Sequence, residues 1–489
     1  MKELHNFING TWRSSTEVFD KSSPFDGRLV ARVHVATDSM IDEAVMAGRR
    51  AVETGWGRMP LRARAQILRD LSRALMARMD DLVEADMADT GRSLWQARNF
   101  DGARAIRQFD AYCDLALAME NRSASFTGSD GAQGLWYTQQ RPRGVIACIA
   151  PWNMPLLLMI MKLAPALVMG NAAIAKPSEE TPGSATVLAE VIAQSEVPDG
   201  AFALLHGAGA TGAALTAHPG VDAISFTGAS ATGSAIMRSA ATGLREVALE
   251  LGGKNPALVF EDADVEAAIA GTARSAFFNC GQICFCTERA YVHRSHFDAF
   301  VEGISQAARK VVIGEPAHDG FSIGPLISQG HRAKVRDLLD SVTADGGAFV
   351  AGGGVPRFGD SRDAGAFIEP SVAVGLAPEA RFLREEVFGP VLHVAPFDSE
   401  DEAIALANDT EYGLASVIWT ENVHRAHRVA SQLRAGHVWL NAWQFRDLAS
   451  PLAGAGLSGV GEQFGRSSLE FCTQPQTVTL RVAPLEETV

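Results

Sequence analysis

Positive charge is in short supply in this chain. Its 43 lysines and arginines face 57 aspartates and glutamates, a formal net charge of −14. That balance argues against nucleic acid or an anionic membrane surface as the main partner. Cysteine is scarce too. Six in 489 residues make no disulfide framework and point to a reducing compartment. No apolar run is long enough to span a bilayer. The most apolar stretch, Pro155–Met169, is short and carries Lys162 and Pro165, so it reads as a buried helix. Met1–Asn6 holds no apolar signal core, and a cytoplasmic location is expected. Tandem repeats and low-complexity segments are missing. What remains is a globular composition, 47% hydrophobic and 20% charged, in a chain long enough for two or three domains.

The apolar spacing changes along the chain. Short strands and turns are expected to about residue 32, with a hairpin-like Asn9-Gly10. Helices follow over 38–118, with Arg104 and Arg107 three apart on one side. Polar strands with turn signals fill 120–143. Short strands and helices then alternate from Gly144 to Leu251, which predicts a parallel, doubly wound sheet. A second alternating α/β region runs on to about Phe464. Gln476–Val482 reads as an edge strand open to pairing.

One stretch, Phe277–Arg289, holds Cys280, Cys284 and Cys286. Asn279 and Gly281 precede Cys284, so this thiol is expected on a bend, where it is aimed and reachable. The three cysteines fit no zinc spacing and have no histidine beside them, so no metal is expected. From this stretch alone, nucleophile and buried thiol stand even. Glu250 ends a strand between two leucines, an apolar setting that raises a carboxylate toward the range of a general base. Phe226–Gly233 follows a strand and opens a helix; its glycines suit a phosphate at a helix N-terminus, although Gly-x-Gly-x-x-Gly is lacking. Lys176–Pro182 lies at a strand end, where a carboxylate can accept from a ribose hydroxyl. In Ala150–Pro155 two prolines stiffen a turn that carries Asn153, whose amide can donate to an oxyanion. Taken singly, each of these also reads as an ordinary loop, cap or turn.

Their set and order are more specific. With Glu385–Pro390 and Asn408–Leu414 they resemble the aldehyde dehydrogenase superfamily over nearly the whole chain. The resemblance implies an α/β protein. An atypical Rossmann-like NAD-binding domain would cover 1–119 and 144–252, and a catalytic α/β domain 253–464. A β-strand oligomerisation arm would combine 120–143 and 465–489. It implies Cys284 as nucleophile, Glu250 as the base that activates water, and Asn153 with the Cys284 amide as oxyanion donors. Cofactor contacts are implied for Trp152, Lys176, Glu179, Gly228, Ser230, Gly233, Leu251, Glu386 and Phe388. NAD is expected over NADP, and a homodimer or homotetramer.

Ala351–Asp360, Arg446–Leu448, Gly454–Gly459 and Cys284–Cys286 with Glu288-Arg289 are similar to the branch that oxidises 2-hydroxymuconic and 2-aminomuconic semialdehydes. On that likeness Arg104 and Arg446 grip a substrate carboxylate; the plain alternative is that both pair with structural acids. A betaine-aldehyde or aliphatic ω-semialdehyde enzyme, a catalytically silent relative and a CoA-dependent acyl transferase are the other readings. Departures from the family pattern fall at Leu452, Ala453, Ala229 and Glu462-Gln463. None is expected to touch nucleophile, oxyanion donor or base.

Overall fold

The computed structural model describes residues 2–318 and 322–482. Two largely parallel sheets form its centre. The first has eight strands, in the order Gly459–Val460, Glu246–Glu250, Ala223–Thr227, Val145–Ile149, Ala172–Lys176, Phe202–Leu204, Asn6–Ile8 and Thr11–Arg13. Its central runs, such as Val-Ile-Ala-Cys-Ile at 145–149, are buried at every position, as a sheet covered on both faces requires. The second sheet has seven strands, and Asn255–Val259 lies between Thr287–His293 and Ala415–Trp419.

The expected helix at Pro155–Met169 is observed over Pro155–Val168, and all its residues are buried. Pro155 sits at the helix start, where a missing N–H costs nothing. The buried Asp101 carboxylate accepts from the amides of Leu156 at 3.3 Å and Leu157 at 3.1 Å. A π-helical turn, Gln96–Gly102, precedes the helix Ala103–Leu117. Apolar spacing does not reveal such a turn, yet it sets the direction in which Arg104 leaves the backbone.

A third sheet pairs Gln133–Pro142 with Ser123–Thr127 on one side and Thr473–Arg481 on the other, all antiparallel. The terminal strand therefore begins three residues before the expected Gln476. Pro475 reads as a break in the sequence, but an edge strand tolerates a residue without an N–H. Gly459–Val460 pairs antiparallel with Leu249–Glu250, so the chain returns to the first sheet before residue 464. Among the described residues no helix is long and apolar enough to cross a membrane.

One buried ion pair ties together the starts of two neighbouring strands of the second sheet. Lys254 immediately precedes the Asn255–Val259 strand, and Glu288 lies near the start of the adjacent Thr287–His293 strand; their side chains are 0% and 4% exposed and in contact. Glu288 also accepts from the amides of Val387 at 3.1 Å and Phe388 at 3.0 Å. Removing one partner strands the other charge. Lys254→Met should cost about 3–5 kcal/mol in denaturant unfolding, and Glu288→Gln added to it should restore part of the loss.

Candidate active site

Cys284 lies on a turn between the helix Val265–Phe277 and the strand Thr287–His293, as the sequence predicts. The approach to it is unusual. Asn279, Cys280 and Gly281 have φ values of 53°, 57° and 68°, three successive left-handed residues of which only one is glycine. Gly281 has no alternative, because a Cβ there would lie 1.8 Å from the Gly389 carbonyl oxygen. Side chains hold the turn. Asn255 Nδ2 donates to the carbonyls of Cys284 at 2.7 Å and Cys286 at 2.8 Å. Gln282 Nε2 donates to Asn279 O at 3.1 Å, and its Oε1 accepts from Ile327 N at 2.9 Å. Cys280 and Cys286 are buried; Cys284 is partly exposed.

A narrow cavity brings Cys284 together with Glu250, Arg104 and Arg446. Burial pushes the Glu250 carboxyl up to about 8, against the opposing pull of Lys162 and Arg446. Glu250 Oε1 is buried with no hydrogen-bond partner among the described residues. Burial also pushes the Cys284 thiol up, and the nearby carboxylates Glu250 and Glu386 add to this. The cavity therefore favours a neutral thiol and a carboxyl that releases its proton near neutral-to-alkaline pH. Arg446 is lowered to about 10 by burial first and by Arg104 next. Its guanidinium stacks 4.0 Å from the Phe464 ring centre, and that of Arg104 lies 4.6 Å from Phe100. Neither arginine makes an ion pair among the described residues, while the buried Asp101 carboxylate acts on Arg104 and Glu250 on Arg446 from a distance.

Asn153 is placed differently. It lines a small pocket with Arg92, Trp152, Asn279 and Gln282 on the Cys284 turn's approach. Its Nδ2 donates to Gln282 O at 2.8 Å, which leaves one amide hydrogen uncommitted. Its carbonyl accepts from Arg92 Nη2 at 2.6 Å and Asn279 Nδ2 at 3.1 Å. Arg92 is itself buried against Asp86. The sequence carried no signal for Arg92, since its spacing to Asn153 exists only in the fold.

Residues 12–478 match the family model described as "Aldehyde dehydrogenase family". The chain belongs to this family. It is 46% identical over 484 residues to 2-aminomuconic 6-semialdehyde dehydrogenase of a Pseudomonas species, covering 99% of both chains. It is 46% identical over 486 residues to 2-hydroxymuconic semialdehyde dehydrogenase of Pseudomonas putida, covering 99% of this chain and 100% of that one. A point mutant of betaine aldehyde dehydrogenase from Staphylococcus aureus, solved with NAD+, superposes with a TM-score of 0.94 at 32% identity, covering 100% and 99% of the two chains. The protein is an aldehyde oxidoreductase of the α/β aldehyde dehydrogenase fold that uses a nicotinamide dinucleotide.

In this aldehyde dehydrogenase the residues expected at the cofactor from Trp152 to Leu251 follow or end first-sheet strands at their carboxyl ends, while Glu386 and Phe388 precede the Val391–Phe397 strand of the second sheet. Gly228 follows the Ala223–Thr227 strand, and the helix Ser230–Ala241 starts without a side-chain cap, an N-terminus open to phosphate. A Cβ on Gly233 would meet Leu251 at 2.6 Å, so helix and strand end pack closely. Ser230 Oγ donates to Leu457 O at 2.7 Å. Lys176 Nζ stands 3.7 Å from Glu179 Oε2. Trp152 meets the Phe388 ring edge-on at 5.3 Å. Glu386 Oε1 accepts from Gly253 N at 2.7 Å, and burial pushes this carboxyl up to about 7. These donors and surfaces fit a dinucleotide.

The departures need one correction. Gln463 lines the same cavity as Cys284 and Glu250, and so does Leu452. Gln463 Oε1 accepts from the buried Lys162 at 3.4 Å, while Thr227 Oγ1 accepts from it at 2.7 Å. Burial lowers Lys162 to about 8, and its charge acts on Glu250. The departure at 463 therefore reaches the candidate base, through a strand pairing invisible in one dimension. Since Glu250 titrates near 8 when folded and about 4.3 when unfolded, its burial favours folding below pH 4 and loses that contribution as pH rises toward 8. Glu250→Gln should flatten the fall of Tm between pH 5 and 9 and exceed wild type at pH 9. Parallel Tm curves would contradict the raised value.

Proposed function

We propose that this aldehyde dehydrogenase oxidises a carboxylate-bearing semialdehyde, of the 2-hydroxymuconic or 2-aminomuconic type, with NAD as acceptor. The observation that carries the substrate class is the pair of unpartnered guanidinium groups, Arg104 and Arg446, in one cavity with Cys284. Both guanidinium groups are half-buried and lowered by burial, Arg446 further by Arg104, and an incoming carboxylate offsets that cost with bidentate hydrogen bonds. The relatives at 46% identity carry names of the same class. A quaternary ammonium aldehyde, the reading suggested by the betaine aldehyde dehydrogenase likeness, would meet two positive charges instead.

Cys284 sulfur attacks the aldehyde carbon once its proton has passed to a base, and Glu250 is the carboxylate in the same cavity able to take it. The remaining Asn153 amide hydrogen and the Cys284 N–H hold the oxyanion of the thiohemiacetal, each donor contributing about 3 kcal/mol to the transition state. Trp152, Lys176, Glu179, Gly228, Ser230, Gly233, Leu251, Glu386 and Phe388 would hold NAD. When bound, NAD supplies the hydride acceptor. Glu250 then releases that proton to solvent, and the thioester left on Cys284 is hydrolysed by a water that gives its own proton to Glu250, so that the acid departs and the Cys284 sulfur is freed. The Glu179 carboxylate beside Lys176 suits a free ribose hydroxyl and opposes a 2′-phosphate, which favours NAD over NADP. The division into nucleotide-binding, catalytic and arm segments is part of the same reading. So are a cytoplasmic location and a homodimer or homotetramer built through the three-stranded sheet, where Phe126, Tyr137 and Leu480 are exposed.

The test is NADH formation with 2-hydroxymuconic semialdehyde. Cys284→Ala should abolish it, and normal turnover by this variant would sink the mechanism. Arg446→Ala should lower kcat/KM by about 2–4 kcal/mol, roughly 30- to 1,000-fold, while a simple aliphatic aldehyde loses little. An unchanged kcat/KM on the semialdehyde would remove the substrate class and leave the chemistry standing.

A further inference from the structure

A second concave site lies far along the chain from the cavity just described and shares no lining residue with it. It is an open pocket of about 780 Å³, into which Arg332, Arg336 and Arg357 converge with the glycines Gly353 and Gly354. Arg332 and Arg336 are four apart on the helix Gln329–Ala344, so they share a face. Arg357 comes from the loop after the strand Ala348–Ala351. That loop turns back through Gly352 and Gly353 at φ 64° and 92°. A Cβ on Gly352 would lie 2.2 Å from Pro370 O, so the turn depends on glycine there.

The three guanidinium groups of this pocket make no ion pair among the described residues. Among the described residues Arg336 and Arg357 make neither an ion pair nor a hydrogen bond, and Arg332 donates only to a backbone carbonyl, Gly365 O at 2.7 Å. Arg332 is held below its ordinary value by burial and by the like charges of Arg336 and Arg357. Asp340 and Asp363 also line the pocket. Asp363 is engaged by the amides of Phe358 at 2.8 Å and Gly359 at 3.2 Å, and Asp340 pairs with no arginine. Glu369 lies behind Gly354 and also forms no ion pair. In a chain of net charge −14, the general field repels anions. A concave cluster of three guanidinium groups is thus a local exception.

We propose that this pocket binds a phosphate group, free or as a phosphomonoester. Guanidinium forks match phosphate oxygens in pairs, and an anion seated between three of them relieves their mutual repulsion. The size of the pocket accommodates a phosphate with a small organic substituent.

Thermal unfolding of the full chain tests this, in sodium phosphate and in sodium chloride at matched ionic strength, pH 7.5, with saturating NAD so that the cofactor's own phosphate positions are filled. Phosphate should give a saturable rise in Tm of a few degrees that chloride does not. The rise should persist in Arg446→Ala, which leaves this pocket intact, and vanish in Arg336→Ala/Arg357→Ala. Both arginines are exposed and unpaired, so the double variant keeps its fold and its aldehyde oxidation. Glycerol 3-phosphate in place of phosphate separates the sources: a lower half-saturation assigns the site to an ester, a higher one to the free ion. Equal stabilisation by phosphate and chloride, or a rise unchanged in the double variant, overturns the proposal.

Discussion

The Lys254–Glu288 pair is the constraint from which the geometry of the active site follows. Burying two charges is costly, and an ion pair of this kind adds little net stability over well-packed apolar residues. What it does here is fix position. Lys254 lies four residues after Glu250, and Glu288 four after Cys284, so a contact between their side chains sets the base and the thiol at a defined spacing. The same carboxylate accepts the amides of Val387 and Phe388, which positions Glu386 against Gly253 and Phe388 against Trp152. Next to it, Arg289 donates to Lys254 O at 2.9 Å and to the carbonyls of Leu406, Ala407 and Asp409. Four separate stretches of sequence are thereby tied to one buried node.

The reacting cavity has the opposite electrostatic character. Its charged groups are held apart from partners. Glu250 keeps an oxygen without a hydrogen bond, and Arg104 and Arg446 make no ion pair among the described residues. Such groups destabilise the empty fold, and the compensation comes from the satisfied network behind them. A site with unsatisfied groups at its front and a bonded node such as Lys254–Glu288 behind it is prepared for ligand charge, because the ligand supplies what the protein withholds.

Much of this was legible in the sequence where local chemistry decides. Strand and helix alternation from Gly144 to Leu251 follows from apolar runs and their spacing. The bend at Cys284 follows from Asn279 and Gly281, and the raised Glu250 from its leucine neighbours. What was not legible depends on contacts between distant residues. The π-turn at Gln96–Gly102 leaves no periodic trace. Arg92 reaches Asn153 across 61 positions. Gln463 meets Lys162 only because Gly459–Val460 rejoins the first sheet.

The glycines of the motifs show why these stretches occur as a set. Gly281 admits no Cβ because the Gly389 carbonyl presses on it, and at Gly252 a Cβ would displace the Glu386 carboxylate, 2.5 Å away. Each glycine is therefore explained by a residue of the Glu385–Pro390 stretch, more than a hundred positions away. The backbone of one motif is shaped to the surface of another. A side chain larger than hydrogen at either place would push the Glu386–Phe388 loop away from the thiol and the base together. The motifs carry their meaning jointly because sterically they form one object.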